Sequence, residues 1–186
     1  MLTLASQSPR RKELLRAAGV RFRVLPPEVE DIPPKQAYRY PAIVQSAALR
    51  KAESVAARVP GLVLGADTIV VCEGQILGKP TSVREARRML HLLSGRRQRV
   101  YTGLALVLGD LRRQGYERTQ ITFRELTDRD IDHYLATGEP MDKAGAYAIQ
   151  GIGGTFIASL RGCYTNVIGL PVPKLLHMLA EFGLPK

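Results

Sequence analysis

An α/β fold is what this sequence predicts, on three observations. Short apolar segments alternate with stretches of helical spacing through most of the chain, the order that places helices against a sheet. The run Leu62-Val63-Leu64-Gly65-Ala66-Asp67-Thr68-Ile69-Val70-Val71 is apolar on both sides of Asp67, without polar alternation, as a strand buried on both faces requires. Turn and cap residues fall between these segments, and no internal repeat or low-complexity tract interrupts them. A length of 186 residues suggests one domain, or two small lobes sharing a sheet; residues 1–186 are read as a single domain.

Leu2–Ala5 is the first predicted strand. Ser8 fits a helix N-cap, Pro9 the first helical position and Gly19 the closing turn, so a strand, a tight loop and a helix open the chain. Arg21–Leu25 reads as a second strand. Pro26, Pro27, Pro33 and Pro34 then break regular structure around Glu28, Glu30 and Asp31, an acidic stretch that could carry a divalent cation or simply be solvated. From Pro41 a helix runs past Lys51, a position that would ordinarily be surface, to a stop near Pro60-Gly61. After the central run, Glu73-Gly74 turns the chain so that Lys79 folds back beside the strand of Asp67.

Ser82 and Glu85 have the spacing of a capping box; Ala86, Met89, Leu90 and Leu93 form one apolar face, and Gly95 ends the helix. Arg84, Arg87 and Arg88 then form a solvated face. Val100–Leu108 and Gln114–Leu126 read as strands joined at Gly109-Asp110. Thr127 to Thr137 is a short helix, and the glycine-rich stretch from Gly138 to Gly154 a loop that brings backbone and Gln150 near a ligand. It has neither Walker A nor dinucleotide-binding order. Phe156–Leu160 is a last strand, and a terminal helix turns Val172, Leu175, Leu176 and Leu179 inward.

The net charge is +10, and residues 1–93 hold 15 Lys/Arg against 8 Asp/Glu while residues 94–186 hold 12 against 9, so the excess lies in the half that contains Asp67. Such a balance favours anionic partners. These could be nucleic acid, a membrane surface or phosphorylated small molecules; aromatics are 6% of the chain and Trp is absent, so stacking platforms for single strands are scarce. Two cysteines at this spacing make neither a metal cluster nor a disulfide framework, and no run reaches the length of a membrane span. A reduced cytoplasmic setting without membrane contact follows as the simplest expectation.

Asp67 is the residue that does not fit its strand. A carboxyl group there must be neutral, paired with a cation, bound to a metal, set at an opening, or hydrogen-bonded structurally to a neighbouring turn. Arg10, Arg11 and Lys12 occupy the first turn of the first helix, where the dipole disfavours cations unless an anion is bound. With Lys51, Lys79 and the acidic loop, these are parts suited to a polyphosphate: cations to neutralise it, a carboxylate to activate water. His91, His133 and His177 show no zinc spacing, and no serine sits in a Gly-x-Ser-x-Gly elbow.

The motifs LASQSPRRKELL, EVED, GADTIVV, GKP, MLHLLSG, GEPMDKAGAYAIQG and NVIGLP, in this order from about residue 2 to residue 173, together resemble the Maf family of nucleoside triphosphate pyrophosphatases. The resemblance implies a mixed twisted sheet with flanking helices in two lobes around a cleft, often as a homodimer. It also implies hydrolysis of a nucleoside triphosphate between its α and β phosphates with a divalent cation, Mg²⁺ or Mn²⁺. Carried over by position, Asp67 matches the general base, Ser8, Arg10 and Arg11 the phosphate-binding motif, Lys51 and Lys79 the basic active-site residues, and Glu30 the metal-side carboxylate. One branch, acting on dTTP and UTP, is similar in carrying Arg after Ser-Pro, Thr after the catalytic Asp and Gln in AGAY-x-x-Gln, as Arg10, Thr68 and Gln150 do here. A Gln amide can satisfy the O4/N3–H edge of uracil or thymine. The competing class is a non-catalytic basic module binding nucleic acid or a cell-division (septum) partner.

Overall fold

The structure, a computed structural model, describes residues 1–29 and 39–183. Among them seven strands form a mixed sheet: β1 (Leu2–Leu4), β2 (Phe22–Val24), β3 (Val63–Cys72), β4 (Gln75–Leu77), β5 (Arg97–Leu108), β6 (Leu111–Phe123) and β7 (Ile157–Arg161). Their order is β2-β1-β3-β5-β6-β7, with β4 paired to β3. β1 is parallel to β2 and to β3, whereas β4 runs antiparallel to β3 and β7 antiparallel to β6. The helices are α1 (Pro9–Ala17), α2 (Tyr40–Ala56), α3 (Val83–Leu93), α4 (Asp128–Ala136), α5 (Tyr164–Ile168) and α6 (Val172–Ala180). This is the mixed α/β architecture expected.

The chain divides into two compact units. The first holds Met1–Thr68, Thr102–Glu117 and Gly169–Lys186, the second Ile69–Tyr101 and Arg118–Ile168, so β3, β5 and β6 each contribute residues to both. In the first unit one apolar cluster joins Leu4, Leu15, Leu64, Leu104 and Leu175, and another joins Ala5, Ala48, Ala52, Val63 and Ala105. In the second unit Leu90, Ile121, Phe123, Tyr134 and Phe156 are central to the core. Phe156 stands edge-on to Tyr134 at 5.0 Å between ring centroids and to Phe123 at 6.0 Å.

Local signals place most elements. Ser8 Oγ accepts the Arg11 amide at 3.4 Å at the start of α1, Pro9 is the first helical residue, and Gly19 takes a φ of +70° after the helix. Ser82 Oγ accepts the Glu85 amide at the start of α3. The reciprocal bond differs from the expected capping box: Glu85 Oε2 accepts from the Thr81 amide and hydroxyl, both at 2.7 Å, instead of from Ser82. A full capping box opens α4, between Thr127 and Asp130. β5 begins three residues earlier than expected, α5 is a short helix of its own ahead of the terminal helix, and the glycine-rich stretch winds through three 3-10 turns, Glu139–Asp142, Ala144–Ala146 and Ile152–Phe156. Among the described residues no helix is long and apolar enough to cross a membrane.

Candidate active site

The site in the first unit is built on two missing side chains. A Cβ on Gly65 of β3 would stand 2.0 Å from the Ala48 carbonyl oxygen and 2.8 Å from the Ala52 nitrogen; one on Gly103 of β5 would stand 2.2 Å from the Val44 oxygen. The α2 backbone therefore rests directly on both strands, with Ala48 and Ala52 as its own small contact residues. Gly65 and Ala66, small residues in an otherwise bulky run, leave the room this approach needs. Its consequence is the position of Lys51, on the same helix.

Lys51 Nζ donates to Asp67 Oδ1 at 2.6 Å. The lysine side chain is 14% exposed and the aspartate 20%, so neither charge is sealed in the core nor freely solvated. Of the solutions open to a carboxylate in this strand, pairing with a cation is present. A pair this sheltered is asymmetric in its energetics: removing one partner leaves the other charge uncompensated, which costs more than the intact pair contributes.

Beside it lies a second polar cluster. Arg11 Nε donates to the Gly169 carbonyl at 2.9 Å, Nη1 to Ser6 Oγ at 3.1 Å and Nη2 to Thr68 Oγ1 at 3.2 Å. Thr68 Oγ1 is also 2.9 Å from Thr102 Oγ1. The guanidinium fork thus ties the start of α1 to the residue after Asp67 and to the turn before α6, a geometry no lysine reproduces. Ser8 contributes its hydroxyl to the helix cap, and Arg10 is half-buried in the first turn of α1.

Asp67, Thr68, Lys51, Arg11, Arg10 and Ser8 accordingly belong to one unit, whereas Lys79 and Gln150, both exposed, belong to the other. Their segments are linked there: the Gly145 amide, at the head of the Gln150 loop, donates to the Gly78 carbonyl at 3.0 Å. Glu30 lies outside the described residues. Among the described residues no group of three or more His, Cys, Asp or Glu side chains could hold a metal ion.

Three participants escaped the sequence reading. Ser6 and Thr102, 6% and 0% exposed, complete the Arg11–Thr68 cluster; a buried threonine inside the apolar run of β5 was the available signal. Glu139 is the third. Its Oε1 accepts from Tyr134 Oη at 2.8 Å and from the Gly153 amide at 3.2 Å, and its Oε2 from the Ile152 amide at 3.1 Å. Burial raises its pKa, but those donors outweigh burial and hold the carboxyl below its ordinary range; burial first, then the bond to Glu139, raises Tyr134.

Comparison with known proteins gives this geometry a context. Residues 1–182 match the family described as "Maf-like protein". A Bacillus anthracis protein named dTTP/UTP pyrophosphatase is 50% identical over 185 residues, covering 98% of this chain and 96% of its own. One of the same name from Symbiobacterium thermophilum is 51% identical over 185 residues, covering 99% and 95%. A solved HAM1 protein from Coxiella burnetii is similar in fold, with a TM-score of 0.54 at 15% identity over 97% of this chain and 98% of that one. The family match spans nearly the whole sequence and includes every strand and helix that carries the clusters above, so the chain belongs to the Maf family.

Proposed function

We propose that the chain is a nucleoside triphosphate pyrophosphatase that hydrolyses dTTP and UTP to the monophosphate and pyrophosphate, residues 1–186 working as one domain. The observation that carries the reading is the sheltered Lys51–Asp67 pair at 2.6 Å, in a chain half identical to relatives named for that activity. Asp67 is its general base. The carboxylate takes a proton from water as the water oxygen bonds to phosphorus and the bond between the α phosphorus and the bridging oxygen breaks, with pyrophosphate leaving. Lys51 holds Oδ1, fixing the carboxylate's orientation and balancing its charge.

Ser8 and Arg10, at the start of α1, face the phosphates in this reading, with Arg11 bracing them through Ser6, Thr68 and Gly169. Lys79 is assigned to the phosphates and Gln150 to the base. A divalent cation, Mg²⁺ or Mn²⁺, belongs to the reading and supplies charge neutralisation on the triphosphate. Such cations take one or two carboxylates together with phosphate oxygens and water. Glu30 is the residue assigned to it. A cytoplasmic location and a homodimer complete the reading, the latter tested by sedimentation.

The test is pyrophosphate release from purified protein with Mg²⁺ or Mn²⁺, offering dTTP, UTP, CTP, GTP, ATP and 7-methyl-GTP, with Asp67→Asn alongside. Turnover of dTTP and UTP that is lost in the variant is the expected result. No pyrophosphate from any nucleotide defeats it and favours the non-catalytic basic module, which the comparisons do not support; full turnover by Asp67→Asn defeats only the assignment of Asp67 as the general base.

A further inference from the structure

Gln150 is exposed, yet the backbone on both sides of it is pinned to the core of its unit. On one side the Ala148 amide donates to Tyr134 Oη at 3.1 Å. On the other, the Ile152 and Gly153 amides donate to the two oxygens of Glu139, whose Oε1 also accepts from that same tyrosine hydroxyl. Tyr134 is 1% exposed and packed edge-on against Phe156, so the assembly is anchored in the aromatic core. The glycines of this loop are required by it. A Cβ on Gly151 would sit 2.3 Å from Glu139 Oε2, and one on Gly153 would sit 2.6 Å from Tyr134 Oη, so either side chain would expel the group that holds the loop.

A loop that carried Gln150 only for solubility would need none of this. A carboxylate that spends its oxygens on two backbone amides and a tyrosine hydroxyl, against closely fitted glycines, orders the chain before any ligand arrives, which lowers the cost of ordering it on binding. We propose that Glu139 is the positioning residue of the base-reading loop, presenting the Gln150 amide in the geometry that distinguishes a thymine or uracil edge. The inference rests on the assignment of Gln150 to the base under Proposed function.

The experiment is a cycle of Glu139→Ala and Gln150→Ala, singly and together, with Glu139→Gln as the conservative variant. KM and kcat for pyrophosphate release from dTTP and dCTP are measured with Mg²⁺, and thermal unfolding is followed in parallel. Glu139→Ala is expected to raise KM for dTTP about tenfold, the worth of roughly one hydrogen bond, with a smaller change in kcat, and to narrow the preference for dTTP over dCTP. Glu139→Gln, which keeps one carbonyl acceptor, recovers part of both. In the Gln150→Ala background, adding Glu139→Ala changes KM and preference little, because the effect passes through Gln150. A Glu139→Ala protein that unfolds at lower temperature but keeps native KM and preference has lost only a structural contact, and the proposal fails while the Gln150 assignment stands. Native KM and preference in Gln150→Ala defeat that assignment and the proposal with it. If Glu139→Ala does not fold, Glu139→Gln is judged by the same two quantities.

Discussion

Replacing Gly65 with alanine would place a methyl group 2.0 Å from the Ala48 carbonyl oxygen and 2.8 Å from the Ala52 nitrogen, about 1.4 Å short of the 3.4 Å at which ordinary contact begins. Both neighbours are backbone of α2, so no rotamer change relieves the clash and the helix must withdraw from β3. Withdrawal opens the seam of Ala48, Ala52, Val55 and Val63, all 0% exposed. Overpacking of this kind costs about 1–3 kcal/mol, and the absence of a yielding side chain puts Gly65→Ala at the upper end. In a chain of this length that lowers the unfolding midpoint by roughly 6–12 °C. Lys51 moves with α2, and loss of its 2.6 Å contact with Asp67 is the functional consequence. A displacement of about 1 Å at a catalytic group costs on the order of 100-fold, so dTTP turnover is expected to fall by that order in protein that is still folded. Thermal unfolding by circular dichroism and pyrophosphate release at a temperature well below both midpoints measure the two effects. A variant with the native midpoint and native turnover refutes the claim that bare strand backbone positions the lysine; a lowered midpoint with native turnover refutes only the link from α2 to Asp67.

Three further outcomes follow from the same contacts. Arg11→Lys keeps the charge but loses the fork that reaches Ser6, Thr68 and Gly169 together; it should cost about 1–3 kcal/mol in urea unfolding, and an unchanged midpoint would show the fork to be dispensable. Asp130 accepts from Arg124 at 3.0 Å and from the Thr127 amide and hydroxyl, and the bond to Arg124 first, then those to Thr127, hold its carboxyl well below the ordinary carboxylate range. Its folded pKa is therefore the lower one, so its contribution is present above about pH 4 and lost as the pH falls further; Asp130→Asn should flatten the acid limb of stability against pH and leave the slope above about pH 5 unchanged. Cys72 is buried, its thiol pKa raised first by burial and then by Glu73, whereas Cys163 is half-buried. An aromatic disulfide reagent should modify Cys163 in the native protein and Cys72 only on unfolding, and equal rates in the native state would contradict that burial.

The sequence by itself determined most of the elements. Ser8, Pro9 and Gly19 bound α1, Ser82 opens α3, and the apolar run around Asp67 is β3, because capping and hydrophobic periodicity act within a few residues and are legible wherever they occur. Ordered motifs along the chain also identified the family. Tertiary structure decided which side chains meet. Lys51 sits in mid-helix with nothing around it to distinguish it from a surface lysine, and it reaches Asp67 only because Gly65 and Gly103 let α2 settle onto bare strand backbone. Arg11 meets a carbonyl 158 residues away, and Glu139 meets amides 13 and 14 residues on, across a loop whose own sequence shows no partner for them. Local preference depends on neighbours in sequence, whereas these contacts depend on long-range burial that brings distant segments to within a hydrogen bond, and no pattern within one segment encodes the distance to another.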